Sequence, residues 1–287
     1  MKRIVIFIVS FLYAGIVAQA QAQAVDTAFF QCLYKMDYIN DTENPKGQID
    51  IAMLLVGEQY TLFGSRINYI ADSLRRVETK EVDILKAISE GKTQMNVPTP
   101  PFRTSDNTES YIIHRGTGAV QCFGNIWLRS GHTYSEERSL PEWTIHSDTK
   151  NFLEHSCQKA TAHYGGRDWT VWFALDIPIS EGPWLLRGLP GLILMAQDAE
   201  QQYVFECMRL GADIVQIIGM DDRIKYKNIS KMEFFEDRRV ASEDYLASLK
   251  KRGVIIDTSG TGFSISPEAQ KRMGITKKFN PIERIAY

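Results

Sequence analysis

The sequence predicts an α+β protein that is mainly β: one large, curved antiparallel sheet, a meander or half-barrel, with one or two helical segments packed on it. Three observations predict it. Short runs rich in Val, Ile, Tyr, Phe, Trp and Thr, punctuated by Gly and Pro, recur from Tyr111 to Leu210 as the strands of a meander do. Gly165-Gly166 lies between two such runs, and both residues suit the positive φ angles of a two-residue hairpin turn. Ile67, Ile70, Leu74, Val77, Val82, Leu85 and Ile88 recur at helical spacing with charges between them.

In chain order, residues 1–20 read as a signal peptide. Lys2-Arg3 supply the charged start, Ile4 to Val17 the apolar core, and Ala18-Gln19-Ala20 a cleavage site, with Ala22 and Ala24 as alternatives. The apolar run is short for a membrane helix and no other span follows, so no transmembrane span is expected in the mature chain. Cys32 lies well past the cleavage region, which argues against a lipid anchor. The expected location is the periplasm or the cell exterior. Residues 21–287 contain no low-complexity linker and no internal repeat, which predicts a single β-rich domain.

Val25 to Tyr38 reads as an opening strand, Asn40 to Gln48 as a polar loop, and Ile49 to Gly57 with Gln59 to Gly64 as a hairpin turning near Gly57-Glu58. Ser65 to Lys92 reads as one or two helices ending at Gly91. Thr93 to Asn107, with Pro98, Pro100 and Pro101, is an irregular excursion. Short strands follow at Tyr111–Arg115, Ala119–Leu128, His132–Arg138 and Trp143–His146.

If Gly165-Gly166 closes Tyr164 onto Arg167, counting fixes the register. Ala162 faces Trp169, Ala160 faces Val171 and Gln158 faces Phe173. The other face pairs His163 with Asp168, Thr161 with Thr170, Lys159 with Trp172 and Cys157 with Ala174. Small alanines against bulky partners suit packing on a second layer, while the other face is mixed and wetter. Ile177 to Trp184 is a proline-locked connection. In Gly188-Leu189-Pro190-Gly191-Leu192-Ile193, Pro190 and Gly191 at the two central positions predict a type II turn across Leu189–Leu192. Leu192 to Ala196 is apolar on both faces and reads as a buried strand, with Tyr203 to Leu210 as its partner. Val215–Met220 and Ile224–Phe235 read as further strands, and Ser242 as the N-cap of a short helix to Lys251. The tail from Thr258 is turn-rich, with a helical turn or two in Pro267–Met273.

The stretch from Gly188 to Ile193 resembles the GLPGLI family of secreted bacterial proteins. Cys157-Gln158-Lys159-Ala160-Thr161, Ile177-Pro178, Gly182-Pro183-Trp184 and Asn280-Pro281-Ile282-Glu283 are similar to the same family. The resemblance is strongest over 143–210 and thinner elsewhere. It implies a secreted, mostly β protein and carries no established activity.

Removing Lys2 and Arg3 leaves 31 basic residues against 35 acidic ones, a net charge of −4, which argues against a nucleic-acid partner. Cys32, Cys122, Cys157 and Cys207 form an even set in an oxidising compartment and can pair as disulfides. Three connectivities exist. Cys32–Cys122 with Cys157–Cys207 is preferred, because 157 and 207 share a meander; buried free thiols are the alternative. No CxxC suggests a redox or zinc site.

No local signature supplies catalysis. There is no G-x-S-x-G elbow, and Asp257-Thr258-Ser259-Gly260 has one residue too many for an aspartic-protease loop and no second copy. The five histidines (His114, His132, His146, His155 and His163) form no pair at helical ligand spacing. Cys157 between His155 and Lys159 reads as a structural cysteine rather than an activated one. Gly260-Thr261-Gly262 lacks the surroundings of a dinucleotide loop. Trp172, on the mixed face, and Trp184, in a turn, are the candidate ligand or partner surface.

The reading is an exported cell-envelope protein that binds rather than catalyses, taking an apolar ligand in the concave face of the sheet or an outer-membrane partner. The alternative is an exported hydrolase with a site assembled from scattered residues. No motif implies a cofactor.

Overall fold

A computed structural model describes residues 24–43, 45–77, 109–127, 130–212, 214–220, 225–243 and 280–284. The signal peptide, the excursion at 93–107, the second half of the 65–92 helical stretch and the tail at 258–273 lie outside the described residues. The strands are β1 (Ala24–Tyr38), β2 (Gln48–Gly57), β3 (Tyr60–Ser65), β4 (Glu109–His114), β5 (Ala119–Trp127), β6 (Ser130–Glu137) and β7 (Thr144–Phe152). β8 (His155–Tyr164), β9 (Arg167–Ala174), β10 (Leu192–Asp198), β11 (Tyr203–Gly211), β12 (Val215–Ile218) and β13 (Lys225–Asn228) follow. The helices are α1 (Arg66–Val77) and α2 (Lys231–Glu243).

All thirteen strands belong to one sheet in the order β13-β6-β5-β4-β3-β2-β1-β11-β10-β9-β8-β7, with β12 beside the first half of β1. Two meanders, β1–β6 and β7–β11, meet at the β1–β11 seam. Every pair is antiparallel except β13 beside β6, so the sheet is mixed. β13 reaches that edge from mid-sheet rather than through a hairpin, and a parallel neighbour needs such a crossover.

Alternation sets the faces. Cys32, Tyr34, Met36 and Tyr38 of β1 point inward with Ala52 and Leu54 of β2, Phe63 of β3 and Phe205 of β11. The sheet curls around this face. Phe63 and Phe205 lie three strands apart, about 14 Å in a flat sheet, yet their ring centroids are 6.0 Å apart. Arg138, just past β6, stacks over Tyr164 at the end of β8 at 4.4 Å, although those strands are nine places apart in the sheet order. α2 joins the inner face through Phe234 and Phe235, which pack on Tyr134. Ala28, Met53, Leu55, Leu62, Ile112, Phe123 and Ile217 form a second cluster on the opposite face, with Tyr69 of α1 against it.

The structure departs from the sequence expectation at two places. Ile224–Phe235 is not a strand: β13 ends at Asn228 and α2 begins three residues later. Ser242 is not an N-cap but lies within α2, and the helix expected from it to Lys251 falls, past Glu243, outside the described residues. The cap is Ser230, whose hydroxyl accepts from Glu233 N at 3.1 Å. Ser-Lys-Met-Glu is the S-x-x-E pattern of a helix start.

Candidate functional site

The β8–β9 hairpin is the frame of the site. Gly165 and Gly166 take φ of +59° and +72°, as a two-residue hairpin turn requires. The register matches the expected one at all eight pairs from Cys157↔Ala174 to Tyr164↔Arg167. Ala160 and Ala162 are buried opposite Val171 and Trp169.

Trp184 sits against the tip of this hairpin. It is 1% exposed, so it is core and not the surface residue expected from sequence. Its ring lies 5.9 Å from Trp169, 5.7 Å from Tyr164 and 5.4 Å from the Arg138 guanidinium. Its φ of +55° is a left-handed conformation that a bulky residue enters at a cost of about 1–2 kcal/mol. Burial of a large aromatic ring offsets that cost.

The six residues 188–193 also differ from expectation. The left-handed glycine is Gly188, at φ +94°, and Gly191 has no positive φ, so the type II turn does not form. Gly191 is needed for space: a Cβ there would lie 2.1 Å from the Ala174 carbonyl oxygen. The motif lets its chain cross β9 at backbone contact and drives Leu189, Leu192 and Ile193 into the core. Tyr34 donates its hydroxyl to Ile193 O at 2.8 Å, tying the motif to β1.

Sequence reasoning missed Arg167, the charged centre of this region. Its side chain is 1% exposed and all five of its N–H donors are used. It donates to Asp198 at 2.7 Å, Gln202 at 3.0 Å, Asn280 Oδ1 at 2.9 Å, Pro281 O at 2.7 Å and Ile282 O at 2.8 Å. The last three hold residues 280–284, a C-terminal strap, against the hairpin. Arg284 N donates to Gly165 O at 2.9 Å, and Tyr203 donates its hydroxyl to Asn280 O at 2.7 Å. Glu283 receives Arg138 at 2.8 Å and Lys231 at 2.7 Å. The resemblance at Asn280-Pro281-Ile282-Glu283 was the one sequence signal for the strap.

Strap, Trp184 and the curled sheet enclose a cavity of about 60 Å³ lined by Met36, Tyr38, Phe63, Tyr111, Tyr203 and Phe235 among others. That is room for a few waters, against several hundred Å³ for a usual small-molecule site. Its lining also carries the Glu109–Arg238 pair at 2.7 Å. The groove expected on the concave face is thus filled by the protein's own Trp184, Leu185, Leu186, Leu189, Phe234 and Phe235.

Glu181, paired with Arg115 at 3.4 Å, is 5% exposed. Burial pushes its carboxyl above the usual value, against the pull of Arg187 and Arg115. The histidines pair separately: His155 with Asp176 at 2.7 Å, His163 with Asp168 at 2.6 Å and His132 with Asp237 at 3.3 Å. Among the described residues, no group of three or more His, Cys, Asp or Glu is placed to hold a metal ion, and no helix is long and apolar enough to cross a membrane.

Trp172 is half-buried on the face opposite Val171 and Phe173, with the Lys150 ammonium 4.3 Å over its ring. It belongs to a rung that crosses six strands, Ile51-Lys35-Glu206-Met195-Trp172-Lys159. A parallel rung runs Ile49-Asp37-Val204-Gln197-Thr170-Thr161-Thr144. Ile49 is 70% exposed on this face and Ile51 39%.

Residues 165–195 match the model of a family described as "Protein of unknown function (Porph_ging)". The match holds the Gly-Gly turn, Trp184 and the 188–193 motif. No curated protein matches the chain. Two solved structures, "Structure of PNGF-II in C2 space group" and "Structure of PNGF-II in P21 space group", are similar at 16% identity with a TM-score of 0.45. The matches cover 74% of this chain and 32% and 33% of those chains, so this chain spans about a third of their length.

Proposed function

We propose that the chain is a GLPGLI-type exported envelope protein, folded as one domain over 21–287, that binds an outer-membrane partner protein through the outer face of its sheet. The observation that carries this reading is the filled interior. Among the described residues, the cavity under the strap is about 60 Å³, too small for a lipid chain. The outer rungs around Trp172, by contrast, present exposed Ile49 and Ile51 beside Lys35, Glu206 and Lys159, an aromatic and aliphatic strip rimmed by charge. Native mass spectrometry of the protein purified from its own cell envelope tests it. The expected result is a stoichiometric protein partner that is lost at least tenfold in Trp172→Ala and in Ile49→Asp. The second variant alters only an exposed side chain and leaves folding unchanged. A bound lipid or small-molecule mass would return the reading to cargo in the interior, and an apo monomer would sink both.

A further inference from the structure

Cys32 and Cys207 are both buried, and their sulfur atoms are 3.2 Å apart. They face each other across the β1–β11 seam, where Cys32 is opposite Leu210 and Cys207 opposite Tyr34. A register shift between Leu33 and Tyr34 brings the two side chains together on the inner face. The pairings preferred from sequence do not fit the sheet. Cys157 is on β8, three strands from Cys207, and Cys122 is on β5, four strands from Cys32. All four thiols are free in this structure.

We propose that Cys32 and Cys207 are a disulfide site that closes when the chain folds in an oxidising compartment, with Cys122 and Cys157 left as thiols. Two thiols this close at van der Waals range or less need little backbone movement to bond. One of the two cysteines, as its thiolate, attacks a disulfide-bearing oxidant and releases one of its thiols. The other cysteine then attacks the mixed disulfide and displaces the second, each Cys losing its proton and the oxidant gaining two electrons. Both sulfurs are shielded once the seam has formed, so the exchange belongs to folding. The bond staples the one seam that joins the two meanders, and the chain between its ends spans 175 residues.

The idea rests on the export reading for its setting, but its geometry can be tested apart from it. Reduced, unfolded protein is refolded with oxidised glutathione, trapped with an alkylating agent in acid and mapped without reductant. The expected product is lighter by two hydrogens, links the Cys32 and Cys207 peptides, and carries label on Cys122 and Cys157. Four labelled thiols, or any other linked pair, would overturn the proposal. The same map on protein from fractionated cells keeps the two readings apart: a cytoplasmic location defeats the export reading and leaves the refolding result standing.

Discussion

A single methyl at Gly191 would lie 2.1 Å from a backbone oxygen on β9, which cannot move aside without dragging the strand. Gly191→Ala should therefore cost about 3 kcal/mol or more. Gly47, with nothing within 4 Å of an added Cβ, should accept alanine at no cost or gain up to about 1 kcal/mol. Denaturant midpoints of the two variants check this, and equal effects would refute the close-approach reading. Glu181 gives a pH prediction. A carboxyl raised above its ordinary value of 4.5 holds its proton more tightly folded than unfolded. Its contribution is complete below the ordinary value and is lost as pH climbs through the raised one. Glu181→Gln, which stays neutral, should gain on wild type in melting temperature from pH 4 to pH 8. A constant difference across that range would show that the carboxyl stays unperturbed. Neither residue announced its role: Pro-Gly spelled a turn from local propensity, and the burial of Glu181 depends on strands remote in sequence.

At the scale of elements, β8–β9 was legible to the last pair because Gly-Gly fixes the turn and the turn fixes the register. The preceding turn was not. Leu153 and Glu154 join β7 to β8 with φ of +47° and +66°, angles that neither residue favours. Sequence therefore extended no strand past His146, whereas β7 runs to Phe152. Cross-strand pairing over-rides the local preference and holds the strain. Leu153→Asn with Glu154→Gly should relieve it, raising stability by roughly 1–2 kcal/mol, since Leu153 is exposed and takes no core contact with it. Unfolding curves read the change, and a loss of stability would mean that the observed turn is not strained.

At the scale of the whole molecule, Arg167 joins three segments remote in sequence: the β8–β9 hairpin, the β10–β11 loop and the C-terminal strap. Removing one partner of a buried ion pair leaves the other uncompensated, at about 3–5 kcal/mol. Arg167→Met should lose about that much and release the strap. Arg167→Lys should rescue little, because three donors cannot replace five aimed in a plane. Hydrogen exchange at 280–284 distinguishes release from general destabilisation: a strap that exchanges no faster than β10 would contradict the clamp.

By itself the sequence determined the mainly β class, most of the strands, the face each β8–β9 residue takes and the helical stretch after β3. These follow from side-chain periodicity and turn chemistry, which act over a few residues. Only the tertiary structure decided that the curved sheet fills its own concave face, that Trp184 is core, that Cys32 faces Cys207, and that a C-terminal strap closes on Arg167. Each of those depends on which strands become neighbours across long stretches of chain. Local propensity carries no information about that choice, which burial and hydrogen-bond satisfaction make for the whole chain at once.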